Sequence, residues 1–390
     1  MGPAVRIYMD HAATTPLRPD VLEAMEPYLT EAYGNASSFH AEGQRARHAL
    51  DEARATTARV LGAEPAEIVF TSGGSEANTM ALVGAALARR GGGDRVVVSS
   101  VEHPSVLESA QFLARLGFRV TELPVDRAGQ VDPEVLAAAM REGAVLVSVQ
   151  VANNEVGTLQ PVEELCRLAH EAGALFHTDA VQAVGLLPVD VNRIGCDLLS
   201  LSAHKFQGPK GVGALYVRKG LELERLVHGG GQERSRRAGT ENVAAIVGLA
   251  RALELAAAAR EGHTRRLEAL RDRLVRGILG RVEGARLTGH PSRRLPGLAS
   301  FVFEGGVEGE SLLVRLDMDG VAASSGSACT SGSLEPSHVL LACGFPADLA
   351  RSALRLSLGP PNTEAEVERV VEVVTRAVER LRRARAAETA

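Results

Sequence analysis

Short apolar segments alternate with longer segments in which apolar residues recur every three or four positions. The short segments predict strands at residues 5–9, 68–71, 96–100, 119–123, 145–151, 175–178, 198–201 and 213–217. The longer segments predict helices at residues 20–29, 41–61, 76–89 and 163–172. Strands that alternate with helices are typical of a mostly parallel sheet with helices on both faces, so the pattern predicts an α/β fold.

The remainder of the chain predicts a second, smaller unit. An Ala-rich helical pattern covers residues 241–279, with a predicted break near Gly262, and strands are predicted at 300–303 and 321–324. The last helix begins at Thr363–Glu366, a capping-box pattern. We therefore predict a large domain at 15–255 and a small α+β domain built from 1–14 and 256–390.

Polar residues follow the ends of the predicted strands. They are Ser75, His103, Asn154, Asp179, Gln182, Ser202, His204 and Lys205. The carboxyl ends of parallel strands meet at one edge of a sheet, where open α/β proteins bind their ligands. The pattern therefore predicts one site at this edge.

Lys205 is the first candidate for chemistry at that edge. Only three of the 43 basic residues are lysine, at positions 205, 210 and 219. Arginine keeps its proton near neutral pH, whereas a desolvated lysine can lose it and act as an amine nucleophile. A lysine on an ordinary surface loop is the alternative interpretation.

A Gly-rich turn at 72–75 separates a predicted strand from a predicted helix. Backbone N–H groups at such a helix start bind anions, although neither a Walker A sequence nor GxGxxG is present and an ordinary turn is the alternative. Lys205, this turn and Asp179 together would suit pyridoxal phosphate, which needs a lysine, a phosphate cup and a carboxylate at its ring nitrogen. Gly74, Ser75, Ser202 and His204 are the candidate phosphate donors, while His103 could stack on the ring and Gln182 could donate to its phenolic oxygen.

The four cysteines differ in their surroundings. Cys166, Cys196 and Cys343 lie in apolar patterns and are predicted core residues. Cys329 lies in a Gly/Ser/Thr-rich loop, where a thiol can be exposed and reactive; an incidental loop cysteine is the alternative. Their spacing predicts neither a disulfide framework nor a metal site.

Composition excludes several classes of function. The net charge of −5 and the absence of mixed aromatic and basic segments argue against direct nucleic-acid binding. No apolar segment is long enough to span a bilayer, so no membrane association is predicted. The first residues lack the apolar region of a secretory signal, so a cytoplasmic location is predicted.

The motifs together resemble those of the cysteine desulfurases, within the class V aminotransferase family. The matching segments are DHAATTP (10–16), GNASSFH (34–40), TSGGSEAN (71–78), EHP (102–104), NNEVG (153–157), HTDAVQAVG (177–185), SLSAHKFQGPKGVG (200–213), GGGQERSRRAGTEN (229–242), SSGSACTSGSLEPSHVL (324–340) and LRLSLG (354–359). They cover the chain from residue 10 to residue 359. The resemblance implies the aspartate aminotransferase-like fold type I of pyridoxal-phosphate-dependent transferases.

The resemblance also implies a reaction and roles for particular residues. L-Cysteine becomes L-alanine, and its sulfur is left on Cys329 as a persulfide. Lys205 holds the cofactor as a Schiff base and moves the α-proton, while His103 stacks on the ring and is the candidate proton relay. Asn154, Asp179 and Gln182 bind the edge of the ring, and Asn35 and Arg355 clamp the substrate carboxylate. Gly74, Ser75, Ser202, His204 and Thr240 bind phosphate.

Thr240 is expected to come from the second subunit, which makes a homodimer necessary. Ser75 stands where many relatives have Thr, and it keeps both the hydroxyl and the backbone N–H. The acceptor of the sulfur stays open between an iron–sulfur scaffold, with transient cluster ligation by Cys329, and a tRNA-thiolating enzyme. A selenocysteine lyase or aminotransferase reaction, and a scaffold without enzymatic activity, are the alternative functions.

Overall fold

The computed structural model describes residues 6–326 and 335–389. Within these residues the strands are β1 (Ile7–Tyr8), β2 (Ile68–Thr71), β3 (Arg95–Ser99), β4 (Arg119–Leu123), β5 (Leu146–Ser148), β6 (Leu175–Asp179), β7 (Leu198–Ser202), β8 (Gly213–Val217), β9 (Ala285–Leu287), β10 (Leu298–Phe303), β11 (Val321–Ala322) and β12 (Leu354–Ser357).

The α-helices in the same described ranges follow the predicted alternation. They are α1 (Pro19–Met25), α2 (Pro27–Thr30), α3 (Ala41–Leu61), α4 (Gly74–Thr79), α5 (Ala85–Ala88), α6 (Pro104–Arg115), α7 (Pro133–Met140), α8 (Val162–Glu171), α9 (Val191–Ile194), α10 (Val243–Arg281), α11 (Gly309–Met318), α12 (His338–Ala342), α13 (Ala347–Ala350) and α14 (Glu364–Thr389). A π-helical turn, Met80–Gly84, joins α4 to α5.

The central sheet has seven strands in the order β2-β8-β7-β6-β5-β3-β4. Only β8 is antiparallel to its neighbours, β2 and β7. The other six strands run in one direction, so their carboxyl ends share one edge. The predicted mostly parallel α/β sheet is confirmed.

Both faces of this sheet are buried, which explains why its strands are apolar almost throughout. On β3, Val97 packs into the hydrophobic core on one face, while Val96 and Val98 pack into the core on the other. Successive side chains of a strand point to opposite faces, so each strand contributes to both cores. The sheet is therefore fixed from both sides, and its polar strand ends are left at the edge.

A second core lies around the antiparallel sheet β12-β10-β9 and the parallel pair β1-β11. It combines Ile7 and Met9 with side chains between residues 267 and 378. Helix α10 joins the two regions, because Leu249 packs in the first core and Leu274 in the second. The predicted boundary between residues 255 and 256 falls inside this helix, and it stays a prediction.

Two helix predictions are wrong in detail. Helix α10 has no break near Gly262, where an added Cβ would meet nothing within 4 Å. A solvent-facing glycine weakens a helix by about 1 kcal/mol without interrupting its hydrogen bonds. The helix predicted at 20–29 is instead α1 and α2, divided before Pro27, because proline lacks the N–H group that would continue the first helix.

The start of α14 is as predicted. The Thr363 N–H donates to Glu366 Oε2 (2.8 Å), and the Glu366 N–H donates to Thr363 Oγ1 (3.3 Å), which is a complete capping box. Across the described parts of the chain, no helix combines the length and apolarity that crossing a bilayer requires.

Candidate active site

A cavity of about 230 Å³ opens at the carboxyl edge of the seven-stranded sheet. The predicted site residues that line it are Gly74, Ser75, His103, Asn154, Asp179, Gln182, Ser202, His204 and Lys205. They lie at or just after the ends of β2, β3, β5, β6 and β7, whose carboxyl ends share one edge of the sheet, with β8 between β2 and β7. Residues far apart in the sequence therefore share one wall, while their roles stay predictions.

Lys205 is held by the turn that follows β7. The strand ends at Ser202 and passes directly into a 3-10 turn, Ala203–Lys205. Lys205 Nζ donates to the carbonyl oxygens of Ala12 (2.5 Å) and Ala13 (2.9 Å). The N-terminal DHAATTP segment therefore forms part of the amine's surroundings.

Thr15 ties the same segment to the lysine turn. Its N–H and hydroxyl both donate to the carbonyl of His204, and its Oγ1 accepts from the N–H of Gln207 (2.7 Å). Gln207 has a φ of 65°, a left-handed conformation that non-glycine residues rarely adopt. These contacts hold the turn after Lys205 in its unusual backbone conformation.

The turn before α4 leaves space for an anion. A Cβ on Gly74 would lie 2.7 Å from Val181 Cγ2 and 3.5 Å from Ser202 Cβ, so a side chain there would fill the approach. The first N–H groups of a helix have no acceptor within the helix. The N–H groups of Gly74 and Ser75, together with the dipole of the helical segment to Ala88, therefore suit a phosphate.

Asp179 provides a buried carboxylate at the end of β6. Its Oδ1 accepts from the Val181 N–H (2.8 Å), and its Oδ2 accepts from Asn78 Nδ2 (2.6 Å). Two N–H donors on the two oxygens are the partners that an ionised carboxylate makes. Such a group can stabilise a protonated nitrogen in the cavity.

His103 caps α6 with its own ring. Its Nδ1 accepts from the Ser105 N–H (3.1 Å) and lies 2.8 Å from Ser105 Oγ. Burial lowers the pKa of His103 below its usual value, while the nearby Asp179 opposes this shift. His204 also lines the cavity, and burial together with Lys205 and Lys210 lowers its pKa to about 4.

A buried carboxyl group precedes His103 in the chain. Glu102 is fully buried, and its Oε1 accepts from Ser99 Oγ (2.5 Å) and from the Gln150 N–H (3.0 Å). Burial raises the pKa of Glu102 to about 8, and Asp179 adds to the increase. Glu102 is therefore protonated near neutral pH.

Three cavity residues that support the predicted ones were not predicted from the sequence. Asn78, Ser105 and Gln150 also line the cavity. Asn78 lies one helical turn after Ser75, so helical spacing from a predicted site residue could have identified it. No local pattern identifies Gln150, because its partners Glu102 and Val101 are distant in the sequence. Glu102 lies in the EHP motif, but the motif does not show that its carboxyl group is completely buried.

Arg355 does not line this cavity. Its guanidinium is buried, with Nη2 2.8 Å from Asp10 Oδ1 and Nη1 donating to the carbonyl of Asn154 (2.8 Å). Its Nε is buried and makes no hydrogen bond to the described residues. The predicted clamp residue is therefore adjacent to the site, through Asn154, but engaged with Asp10.

Asn35 and Thr240 do not line the cavity of their own chain either. Both are exposed, and Asn35 Oδ1 accepts from the Ser37 N–H (2.9 Å). Thr240 follows a segment that is tied to α4 by an ion pair between Arg237 Nε and Glu76 Oε1 (2.8 Å). The roles predicted for Asn35 and Thr240 stay predictions.

The cysteines divide as predicted where the structure describes them. Cys166, Cys196 and Cys343 are buried free thiols. Burial raises the pKa of Cys166 and of Cys343 to about 12, and raises that of Cys196 as well, so none of the three is an activated thiolate. Cys329 lies outside the described residues. Among residues 6–326 and 335–389, no cluster of His, Cys, Asp and Glu could hold a metal ion.

Comparison with known proteins finds the same family along nearly the whole chain. Residues 7–370 match the family model "Aminotransferase class-V". The cysteine desulfurase IscS of Methanosarcina thermophila is 52% identical over 376 residues, which cover 96% of this chain and 93% of that protein. A solved structure of a NifS-like protein has a TM-score of 0.91 and 38% identity, with 97% of this chain and 100% of that chain covered.

A further solved structure is that of SspA in complex with cysteine. It matches with a TM-score of 0.79 and 36% identity, and the alignment covers 92% of this chain and 100% of the SspA chain. The matches extend over both the sheet edge and the second core, so they apply to the whole arrangement described above. This chain belongs to the aminotransferase class-V family and, within that family, to the cysteine desulfurases.

Proposed function

We propose that this chain converts L-cysteine to L-alanine with pyridoxal phosphate as cofactor and leaves the sulfur on Cys329 as a persulfide. The observation that supports this most directly is a single cavity that combines the Lys205 amine, the Asp179 carboxylate and the helix start at Gly74. The high identity to cysteine desulfurases selects this reaction among those that the same cofactor serves.

The groups around the cavity fit this cofactor. Gly74, Ser75, Ser202 and His204 would surround the phosphate, and Asp179 would face the ring nitrogen. Lys205 would hold the aldehyde carbon, with His103, Asn154 and Gln182 against the ring. Gln182 Nε2 donates to the Ala12 carbonyl (3.0 Å), which keeps this side chain beside the lysine. When bound, the cofactor withdraws electrons from the substrate's α-carbon and so makes its proton removable.

Lys205 and His103 move the protons. The amine of Lys205, once exchanged for the substrate amine, is the base that accepts the α-proton. His103 Nδ1 accepts the Ser105 N–H, so a neutral ring carries its proton on Nε2. The lowered pKa of His103 favours this neutral form, which can both give and accept a proton at Nε2.

The sulfur step requires no external oxidant or reductant. The thiolate of Cys329 attacks the substrate sulfur, an S–S bond forms, and the bond between that sulfur and Cβ breaks. The electron pair from the broken bond ends on Cβ, which takes up a proton to become the methyl group of alanine. L-Cysteine and a thiol thus become L-alanine and a persulfide, with every atom accounted for.

A homodimer belongs to the same proposal. Thr240 is exposed and lies outside the cavity of its own chain, as a residue donated to a partner's phosphate site would be. The neighbourhood of Asn35 also exposes large apolar side chains, with Tyr33 74% and Phe39 95% exposed. A second copy would cover such a surface, and substrate would then meet groups from both chains.

The proposal extends to the later fate of the sulfur. Delivery to an iron–sulfur scaffold or to a tRNA-thiolating enzyme would take place in the cytoplasm, where thiols stay reduced. The three described cysteines are free, as a reducing compartment requires. The chain's similarity to IscS proteins favours iron–sulfur cluster assembly as the first destination to test.

The decisive experiment uses cysteine labelled with heavy sulfur. The purified holoenzyme is expected to release alanine and to gain one labelled sulfur on Cys329, detected by peptide mass analysis. Cys329→Ala should keep the visible absorbance of the bound cofactor and lose both alanine and the adduct. Lys205→Ala should lose the absorbance that borohydride removes from the wild-type protein.

Other results would select the alternatives. Alanine released by Cys329→Ala at the wild-type rate would contradict a persulfide on that residue. 3-Mercaptopyruvate formed from cysteine, with a 2-oxo acid taking up the amino group, would indicate an aminotransferase, and activity with selenocysteine alone would indicate a selenocysteine lyase. Cys166→Ala is the matched control, because this buried thiol lies outside the cavity and its loss should leave the labelling unchanged.

A further inference from the structure

A single amide connects two polar side chains that line the cavity, the Asp179 carboxylate and the His103 ring. Asn78 Nδ2 donates to Asp179 Oδ2 (2.6 Å) and to Ser105 Oγ (2.9 Å). Ser105 Oγ in turn lies 2.8 Å from His103 Nδ1. Asn78 is 1% exposed and lines the cavity, so water contributes little to this connection. The amide therefore lies between the carboxylate and the histidine.

The orientation of this amide follows from the chemistry of its partners. If the oxygen and nitrogen were exchanged, the amide oxygen would face a carboxylate oxygen, and neither could donate. In the orientation observed, both N–H bonds of Nδ2 are used, and Oδ1 is buried without a hydrogen bond to the described residues. Asn78 thus donates hydrogen bonds to Asp179 and Ser105 while its own carbonyl oxygen stays without a donor among the described residues. A buried polar atom left without a partner is typical of a functional constraint.

The same arrangement decides which nitrogen of His103 carries the proton. The Ser105 backbone N–H can only donate, so Nδ1 of His103 must accept. Because the Ser105 hydroxyl accepts from Asn78, its own hydrogen is directed to Nδ1 as well. A proton on Nδ1 would remove both contacts and the cap of α6. The network therefore favours the neutral ring with its proton on Nε2.

We propose that Asn78 is a positioning residue that sets the direction of the Asp179 carboxylate and, through the Ser105 hydroxyl, reinforces the tautomer of His103 that the Ser105 backbone N–H already favours. The proposal rests on the proposed function, because it assumes that these two groups act on a bound cofactor and substrate. Asn78 itself touches neither reacting atom in this account. Its effect passes through Asp179 and His103, so both should change together when the amide is altered.

Two substitutions at Asn78 separate this role from ordinary packing. Asn78→Asp keeps the shape but replaces the two donors by a carboxylate facing Asp179. Asn78→Ala removes the shape as well and leaves the carboxylate without its donor. If Asn78 only filled space, the isosteric Asp variant would be the milder of the two. If its donors matter, the Asp variant is worse, because two carboxylates at this distance repel each other unless they share a proton.

The test measures cofactor binding and turnover of the holoenzyme at about pH 6 and about pH 9, each relative to wild type at the same pH. Asn78→Ala should lower kcat about tenfold with little change in KM. Asn78→Asp should lower kcat roughly 100-fold at the higher pH and approach the Ala variant at the lower pH, where a shared proton restores a donor. The affinity of the apoprotein for pyridoxal phosphate, followed by visible absorbance without substrate, should show the same order and the same pH dependence.

Asn362 provides a matched control in the second core. It is 2% exposed, its Oδ1 accepts from the Gly359 N–H (2.8 Å), and its Nδ2 lies 3.3 Å from Glu366 Oε2. Asn362→Asp therefore also places a carboxylate beside a carboxylate. It should lower the melting temperature while cofactor affinity and kcat change less than about twofold.

The outcomes distinguish failure of this inference from failure of the proposed function. No alanine from wild-type protein would overturn the proposed function itself. An active wild type with Asn78→Asp no worse than Asn78→Ala, or with no pH-dependent cofactor affinity, would overturn the role of Asn78. If both variants fail to fold, Ser105→Ala provides the test, with kcat measured as a function of pH. An acid limb at the wild-type position would overturn the link from Asn78 to His103, and a shifted acid limb would support it.

Discussion

The carboxyl edge of the sheet and the surroundings of Arg355, which we call the Arg355 region, differ in one respect. At the sheet edge the predicted ligand-binding groups face an open cavity, whereas the guanidinium of Arg355 is already paired within the protein. At the sheet edge, Asp179 and Lys205 line one open cavity with their polar atoms anchored by neighbouring main chain. Around Arg355, the guanidinium is buried against Asp10 (2.8 Å) and the carbonyl of Asn154. Asn35, the other predicted clamp residue, is exposed. The first region can accept a cofactor as it stands.

This difference has a physical origin. Each group at the sheet edge follows a strand that is buried on both faces, so packing fixes its position before any ligand arrives. Arg355 lies on β12, and its charge is already compensated by Asp10. A substrate carboxylate clamped by Arg355, as predicted, would have to displace Asp10, and this cost would weaken substrate binding. Substitutions at the sheet edge should change cofactor binding and chemistry, whereas those around Arg355 should change substrate affinity.

The largest effect is expected from Asp179→Ala. The substitution removes the proposed partner of the ring nitrogen and leaves the Asn78 Nδ2 donor without this acceptor. We expect kcat to fall on the order of 10³-fold, with weaker retention of the cofactor. Steady-state kinetics and visible absorbance after gel filtration measure the two effects. A variant that keeps full kcat and cofactor would show that the sheet edge is not the cofactor side.

Arg355→Lys should give the next largest effect, and on a different kinetic parameter. Lysine keeps the charge but loses the planar pair of donors that matches a carboxylate. We expect KM for cysteine to rise roughly 100-fold while the cofactor absorbance of the resting enzyme stays unchanged. An unchanged KM would mean that the guanidinium remains on Asp10 during turnover, and the clamp assignment would then be wrong.

The sequence was most informative where function depends on strand ends. The strands at 68–71, 119–123 and 213–217 were predicted with their observed bounds. An apolar segment buried on both faces is a strong local signal, and the polar residue after it marks the edge of the sheet. The position of Lys205 at the end of β7 therefore followed from pattern alone, and the family resemblance added the reaction.

The sequence was least informative where a residue's partner is distant. The engagement of Arg355 with Asp10 joins residues at opposite ends of the chain, and no local pattern predicts it. Glu102 is another example, because its raised pKa depends on complete burial rather than on its neighbours in sequence. The continuous α10 was also missed at Gly262, because sequence alone does not show that this glycine faces open space.

Glu102→Gln tests whether the buried carboxyl group of Glu102 is protonated, through the pH dependence of the free energy of unfolding. The folded-state pKa of Glu102 is about 8 against an ordinary value of 4.5. Below the lower value, both the folded and the unfolded states are protonated, and no penalty arises. As pH rises from 4.5 toward 8, the unfolded state gains stability by ionising while the folded state does not, so the stability contributed by protonated Glu102 is lost across this window.

Glutamine mimics the protonated carboxyl group and cannot ionise, so the variant should escape this loss. We expect Glu102→Gln to be more stable than wild type by about 1–3 kcal/mol near pH 9, and nearly equal to it near pH 4. Urea unfolding at several pH values measures the free energy of unfolding. If the free energies of unfolding of the two proteins changed in parallel with pH between 4.5 and 8, Glu102 would not be neutral in the folded protein.

The smallest effect, and the most direct test of the contrast between the two regions, is expected from Asp10→Asn. Asparagine can still accept a hydrogen bond from Arg355 but no longer carries the competing charge. Because substrate carboxylate would then displace a weaker partner, KM for cysteine should fall about threefold, while kcat and the cofactor absorbance stay close to wild type. The loss of this partly buried ion pair should lower the melting temperature by about 2–4 °C. A KM that rises instead would show that Asp10 orients Arg355 for the substrate, and the Arg355 region would then be as well prepared as the sheet edge.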